Sequence, residues 1–212
     1  FLGFLSIGLI LNGQPLKAGI LIIIASILDA FDGKIARLLG IESRFGVEFD
    51  SMADTISFCV VPSILIYSLY VDNMSKLVGT FISFMPLMFG TIRLAKFNID
   101  TRQTTSFIGL PTPAVAIFVA SLPLIAKYQQ LPIFDDYIFL IVVSIILPLL
   151  LVVEIPLFSL KFSKAERISS RLNIFRISLI LAALILFFVF QFAAIPFIVI
   201  LYLILSLLNN IL

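Results

Sequence analysis

Six of the twelve carboxylates in this 212-residue chain fall within 26 residues: Asp29, Asp32, Glu42, Glu48, Asp50 and Asp54. They stand between two strongly apolar runs, residues 19–28 and 56–69, in a sequence that is 61% hydrophobic. Charge at the edge of hydrocarbon is costly and has to be compensated. On a helix, Asp29 and Asp32 (i, i+3) share a face, and so do Asp50 and Asp54 (i, i+4). The roughly ten residues from Leu38 to Val47 are enough to let the two helices run antiparallel, so that four carboxylates converge. Four like charges at one place repel unless a cation lies between them or some are protonated. Oxygen ligands select a hard cation, Mg²⁺, Mn²⁺ or Ca²⁺. With no His and a single Cys, Cys59, the chain offers little for zinc. Gly33, Ala36 and Gly46 would let a ligand or a neighbouring helix approach closely, and Arg37 can answer a phosphate.

The elements that must position these residues are membrane helices. Mean hydropathy is +1.22, and several apolar runs reach the ~20 residues that a helix needs to cross a bilayer. The expected fold is one all-α integral membrane domain over 1–212, with eight spanning segments at 1–11, 16–39, 46–70, 76–95, 111–125, 137–160, 174–191 and 194–212. The first opens inside an apolar run without a starting Met, so it reads as the remainder of a longer helix. Pro62, Pro86, Pro123 and Pro148 fall inside spans, where they kink helices without breaking them. With this topology, eleven of the fourteen Lys and Arg residues flank the connections on one side. Only Lys17, Lys76 and Lys127 remain on the other. The positive-inside rule then turns the acidic cluster towards the cytoplasm. One cysteine excludes an intrachain disulfide, and no nucleic-acid partner is expected.

Two further segments lie on the acidic side. Arg93 and Lys96 are i, i+3 and could together hold a carboxylate or phosphate; ordinary flanking charge is the competing explanation. Residues 107–114, Phe-Ile-Gly-Leu-Pro-Thr-Pro-Ala, form a loop-to-helix entry with proline suited to the first turn. The basic connection 161–176 reads as positive-inside anchoring in preference to an interfacial helix on anionic headgroups. Glu154 is expected to pair with a nearby basic residue, and Cys59 to serve packing.

The residues Asp29, Asp32, Gly33, Ala36, Arg37, Gly46, Asp50 and Asp54 spell D-x2-D-G-x2-A-R-x8-G-x3-D-x3-D. This is the signature of the CDP-alcohol phosphotransferase family, which the chain resembles over roughly residues 1–124. The pattern at 45–54, the R-x-A-K-F-N of Arg93–Asn98 and the G-L-P-T-P-A of 109–114 are similar to the family's phosphatidylserine synthase branch. Lys96 stands where that pattern has Arg, a point charge in place of a bidentate fork.

The resemblance implies a six-helix core over 1–160, followed by the basic connection and a C-terminal helix pair over 161–212. It implies transfer of a phosphatidyl group from CDP-diacylglycerol, or its ether-lipid counterpart CDP-archaeol, to the hydroxyl of L-serine, with release of CMP. Asp29, Asp32 and Asp50 would bind the metal, two ions of Mg²⁺ or Mn²⁺, and Asp54 would be the general base. Gly33, Ala36, Arg37 and Gly46 would lie against cytidine and phosphates; Arg93 and Lys96 would receive the serine carboxylate. Family members are commonly homodimers. Glycerol 3-phosphate or inositol phosphate as acceptor is the alternative within the family. A cation transporter is the alternative outside it, although such sites usually lie near the bilayer midplane.

Overall fold

The computed structural model describes residues 1–40, 43–70, 76–99, 106–131, 133, 136–159 and 171–211, with the side chains at 36, 37, 44, 70, 76, 106, 107 and 211 outside the described set. Helix α1 (Leu2–Leu11) closes on Asn12, whose Nδ2 donates to the Gly8 carbonyl at 2.7 Å. Pro15 opens α2 (Pro15–Leu39) at a position where its missing N–H is no loss. Gly40 follows at φ +64, a conformation open to glycine. Ser43 then caps α3 (Arg44–Asp54), its Oγ accepting from Gly46 N at 3.0 Å.

Between α3 and α4 (Val61–Tyr70) the helix widens to a π turn over Thr55–Val60. Pro62 lies just beyond. Its ring would press on the Phe58 carbonyl in an ordinary helix, and a wider turn relieves that clash. Helix α5 (Lys76–Ser83) passes into α6 (Met85–Ile99) at a second proline, Pro86. Here the Leu87 N–H is taken up across the bundle by the buried Ser63 Oγ at 3.0 Å. Prolines inside membrane helices are tolerated where a neighbour re-satisfies the backbone in this way.

Helix α7 (Thr112–Gln129) is buried from Val115 to Ile125 apart from the half-buried Ile117, so it forms the centre of the bundle. Helix α2 comes close against it at Gly19, where a Cβ would meet the Ala120 carbonyl oxygen at 2.6 Å. Asp136 caps α8 (Tyr137–Val152). The expected span 137–160 is corrected here: the helix stops at Val152, and Pro156 opens a short strand. Strand β1 (Ser106–Ile108) pairs antiparallel with β2 (Pro156–Phe158). Gly109 continues the pairing by donating to the Ile155 carbonyl, at φ +73 and against the Leu151 carbonyl, where a side chain has no room.

Helices α9 (Arg171–Phe190) and α10 (Ala194–Ile211) form a hairpin around Gln191. Gln129 of α7 holds its turn, donating to the Phe190 carbonyl and accepting from Ala193 N. At the other end Arg176 and Tyr202 donate to the carbonyls of Ser159 and Phe158, so α10 is tied to β2 and α9 to the residue after it.

Among the described residues, four helical stretches are long and apolar enough to cross a membrane: Phe45–Leu69, Leu77–Ile99, Thr112–Gln129 and Arg171–Asn210. Leu2–Leu11 and Tyr137–Val152 are shorter apolar helices. Helix α2 has the length but carries Lys17, Asp29, Asp32 and Lys34. The architecture is that of an all-α integral membrane protein, with one small strand pair at the mouth of α7.

Candidate active site

The long polar end of α2 and the capped start of α3 bring the acids together. One carboxylate oxygen each from Asp29, Asp32 and Asp50 lies within 4.8 Å of the others. Asp54, one turn beyond Asp50, reaches the Asp29 carboxyl within hydrogen-bonding distance. All four line one cavity of 1190 Å³. Three hard oxygen donors so close suit a divalent cation, which would remove the repulsion between them. Asn98 Nδ2 donates to Ser51 Oγ at 3.0 Å, tying the end of α6 to the helix that carries Asp50.

Gly33 and Lys34 line the cavity beside the acids. Ala36 and Arg37 sit on the last turns of α2, with side chains outside the described set. Glu42, Arg102 and the basic run 161–170 are outside it altogether. Gly46 does not line the cavity. Its N–H completes the Ser43 cap, and a Cβ there would stand 3.1 Å from the Ser43 hydroxyl.

Arg93 is a wall of the cavity, buried, with Asp54, Cys59 and Tyr202 as its electrostatic neighbours. Lys96 does not share that wall. Its ammonium lies 3.9 Å from Glu154, with both side chains exposed. Residues i and i+3 differ by about 60° around a helix, enough to carry Lys96 from the cavity face to the α8 side. Glu154 has the basic partner expected of it.

The cavity also holds residues that sequence reasoning did not single out. Thr112 belonged to a noticed segment, but nothing marked it from its neighbours. Tyr202 and the apolar Leu179, Ile195, Ile198 and Val199 come from the C-terminal hairpin. A lone tyrosine in an apolar helix carries no signal, and only the returning hairpin brings it opposite the acids.

Helices long and apolar enough to cross a membrane, around an acid-lined cavity with a buried arginine, define an integral membrane protein with an acidic cluster able to hold a divalent cation. The chain belongs to the CDP-alcohol phosphatidyltransferase family, whose sequence model matches residues 1–156. It is 45% identical over 121 residues to the CDP-diacylglycerol–serine O-phosphatidyltransferase of Helicobacter pylori, covering 56% of this chain and 51% of that protein. It is 41% identical over 133 residues to the archaetidylserine synthase of Methanothermobacter thermautotrophicus, 61% of this chain and 55% of that one. The Bacillus subtilis CDP-diacylglycerol–serine O-phosphatidyltransferase is 37% identical over 111 residues, 52% and 62% of the two chains. The chain thus spans about half the length of the first two relatives.

Proposed function

We propose that this protein transfers a phosphatidyl group, or its ether-lipid equivalent, from a CDP-linked lipid to the hydroxyl of L-serine, releasing CMP. The observation that carries the reading is the arrangement of the motif's four aspartates on one cavity with the buried Arg93. The names of the relatives, serine phosphatidyltransferases and an archaetidylserine synthase, point to the same acceptor. Family membership leaves the cation-transport alternative without support.

Asp29, Asp32 and Asp50 would hold the divalent ions, two of Mg²⁺ or Mn²⁺. When bound, these ions neutralise the pyrophosphate and stabilise the leaving CMP. Asp54 accepts the proton of the serine hydroxyl, because an alcohol attacks poorly until its proton has somewhere to go. The serine oxygen forms a bond to the lipid-bearing phosphorus as the bond to CMP breaks, with no covalent enzyme intermediate. Gly33, Ala36, Arg37 and Gly46 form the nucleotide end, where Gly46 acts by starting α3 in the right place. Arg93 draws the serine carboxylate into the cavity.

The chain crosses the membrane eight times as a single domain, residues 1–160 forming the core and 161–212 the basic connection and terminal pair. Its cavity opens to the cytoplasm, supported by the eleven-to-three distribution of basic residues. The working form is a homodimer, as is common in the family.

The test is CMP release from CDP-diacylglycerol and from CDP-archaeol with L-serine, glycerol 3-phosphate or inositol phosphate as acceptor. Serine-dependent release that is lost on chelation, returns with Mg²⁺ or Mn²⁺, and falls at least about a hundredfold in Asp54→Asn supports the reading. Activity with glycerol 3-phosphate but not serine overturns the choice of acceptor.

A further inference from the structure

Arg93 and Thr112 are buried polar residues in the cavity wall. Arg93 is 8% exposed and Thr112 is 1% exposed, and neither Arg93 Nε nor Thr112 Oγ1 has a hydrogen-bond partner among the described residues. Both residues line the cavity. Buried polar groups are nearly always paired, so two such atoms on residues that line one cavity invite a ligand that pairs them.

Thr112 meets α6 one turn before Arg93, at one corner of the cavity. Gly90 lies one turn before Arg93 on α6, and a Cβ there would stand 3.8 Å from Thr112 Cγ2. Thr112 is also the first residue of the 18-residue α7, whose cap is Pro111, so its hydroxyl takes no part in closing its own helix. The positive end of that helix favours a negative group. Tyr202 adjoins the corner, but its hydroxyl already donates to the Phe158 carbonyl at 2.9 Å. Its ring therefore serves as a wall. Lys96 is turned away to Glu154, and Lys34 lines the cavity beside the acids.

Resting on the serine-acceptor reading above, we propose that Thr112 joins Arg93 in an anion subsite that holds the acceptor's carboxylate. Thr112 donates through its hydroxyl and Arg93 through Nε–H. Asp54, the carboxylate among Arg93's electrostatic neighbours, then stands at the end of the acceptor that carries the reacting hydroxyl. Thr112 is a specificity-determining residue: an uncharged acceptor of the same shape gains less from this pair of donors, because bonds to a charged group are the stronger ones.

The experiment uses the full chain in detergent or nanodiscs with CDP-diacylglycerol and Mn²⁺, and compares L-serine with L-serinamide, which lacks the carboxylate charge. Thr112→Val keeps the side-chain shape and removes the donor. Its KM for serine is expected to rise about tenfold or more, the loss falling on KM and not on kcat. The KM for the lipid donor stays constant, and the preference for serine over serinamide shrinks. Thr112→Ser, which retains the hydroxyl, remains close to wild type. A wild-type serine KM in Thr112→Val, or an equal loss with serine and serinamide, overturns the proposal. If the unmodified protein uses glycerol 3-phosphate and not serine, the acceptor reading fails by itself. The subsite is then judged on that anion: a raised KM in Thr112→Val supports it, and an unchanged one overturns it.

Discussion

Gly90→Ala is the sharpest probe of how the cavity is held together. A Cβ at Gly90 would sit 2.5 Å from Cys59 Sγ and 3.2 Å from Cys59 Cβ. Carbon and sulfur rest comfortably at about 3.5–4.0 Å, so the overlap with the sulfur is about 1 Å or more. Cys59 is fully buried on the π turn and has nowhere to retreat. The strain must therefore separate α6 from the π turn, at a cost of about 1–3 kcal/mol for overpacking. For a chain of this size each kcal/mol moves the unfolding midpoint by roughly 2–4 °C. Arg93 is one turn further along α6, so the serine KM should rise as well. Thermal unfolding in a single detergent, run on Gly90→Ala, Cys59→Ala and the double variant, gives a mutant cycle. Removing the sulfur leaves the 3.2 Å contact, so the double variant should recover more than half of the loss but not all of it. A wild-type midpoint in Gly90→Ala, or strictly additive losses in the double variant, would refute the packing argument.

Two other changes separate neighbouring roles. Lys96→Ala removes an exposed pair with Glu154 at 3.9 Å, worth about 0–1 kcal/mol; the serine KM should stay within about threefold of wild type, whereas Arg93→Ala should raise it far more. Gln129→Ala removes both bonds that hold the α9–α10 turn, about 1–3 kcal/mol together, and hydrogen exchange at the Ala193 amide should accelerate. An unchanged exchange rate there would show that the hairpin holds without its clamp.

The acids could be read from the sequence because their spacing is local. Two carboxylates per helix face, a proline start, a serine cap and a glycine stop are each specified within a few residues, and together they decide where α2 ends and α3 begins. The Arg93 and Lys96 pair shows the limit of that reading. Spacing alone put both on the acidic side, but their 60° difference matters only once the segment after α8 supplies Glu154. The strand pair was out of reach for a similar reason: three residues at 106–108 and three at 156–158 acquire their pairing from elements far apart in the chain. Thr112 and Tyr202 needed tertiary structure altogether. Their meaning depends on which groups lack partners and on which helix folds back, and neither leaves a periodic trace.

The widened turn at Thr55–Val60 has a geometric consequence for the helix that bears Asp50 and Asp54. It acts as a phase shifter between two parts of one rod. Upstream, the azimuth of the rod aims acids at the cavity; downstream, it aims the fully buried Val61 and Leu65 at the bundle. Restoring ordinary pitch with every residue kept would swing one part about 100° relative to the other. Either the acids would face away from their partners on α2, or the buried ridge would face lipid. The width of the turn between Asp54 and Val61 is thus as strictly constrained as the aspartates themselves, although no side chain in that interval needs to touch a substrate.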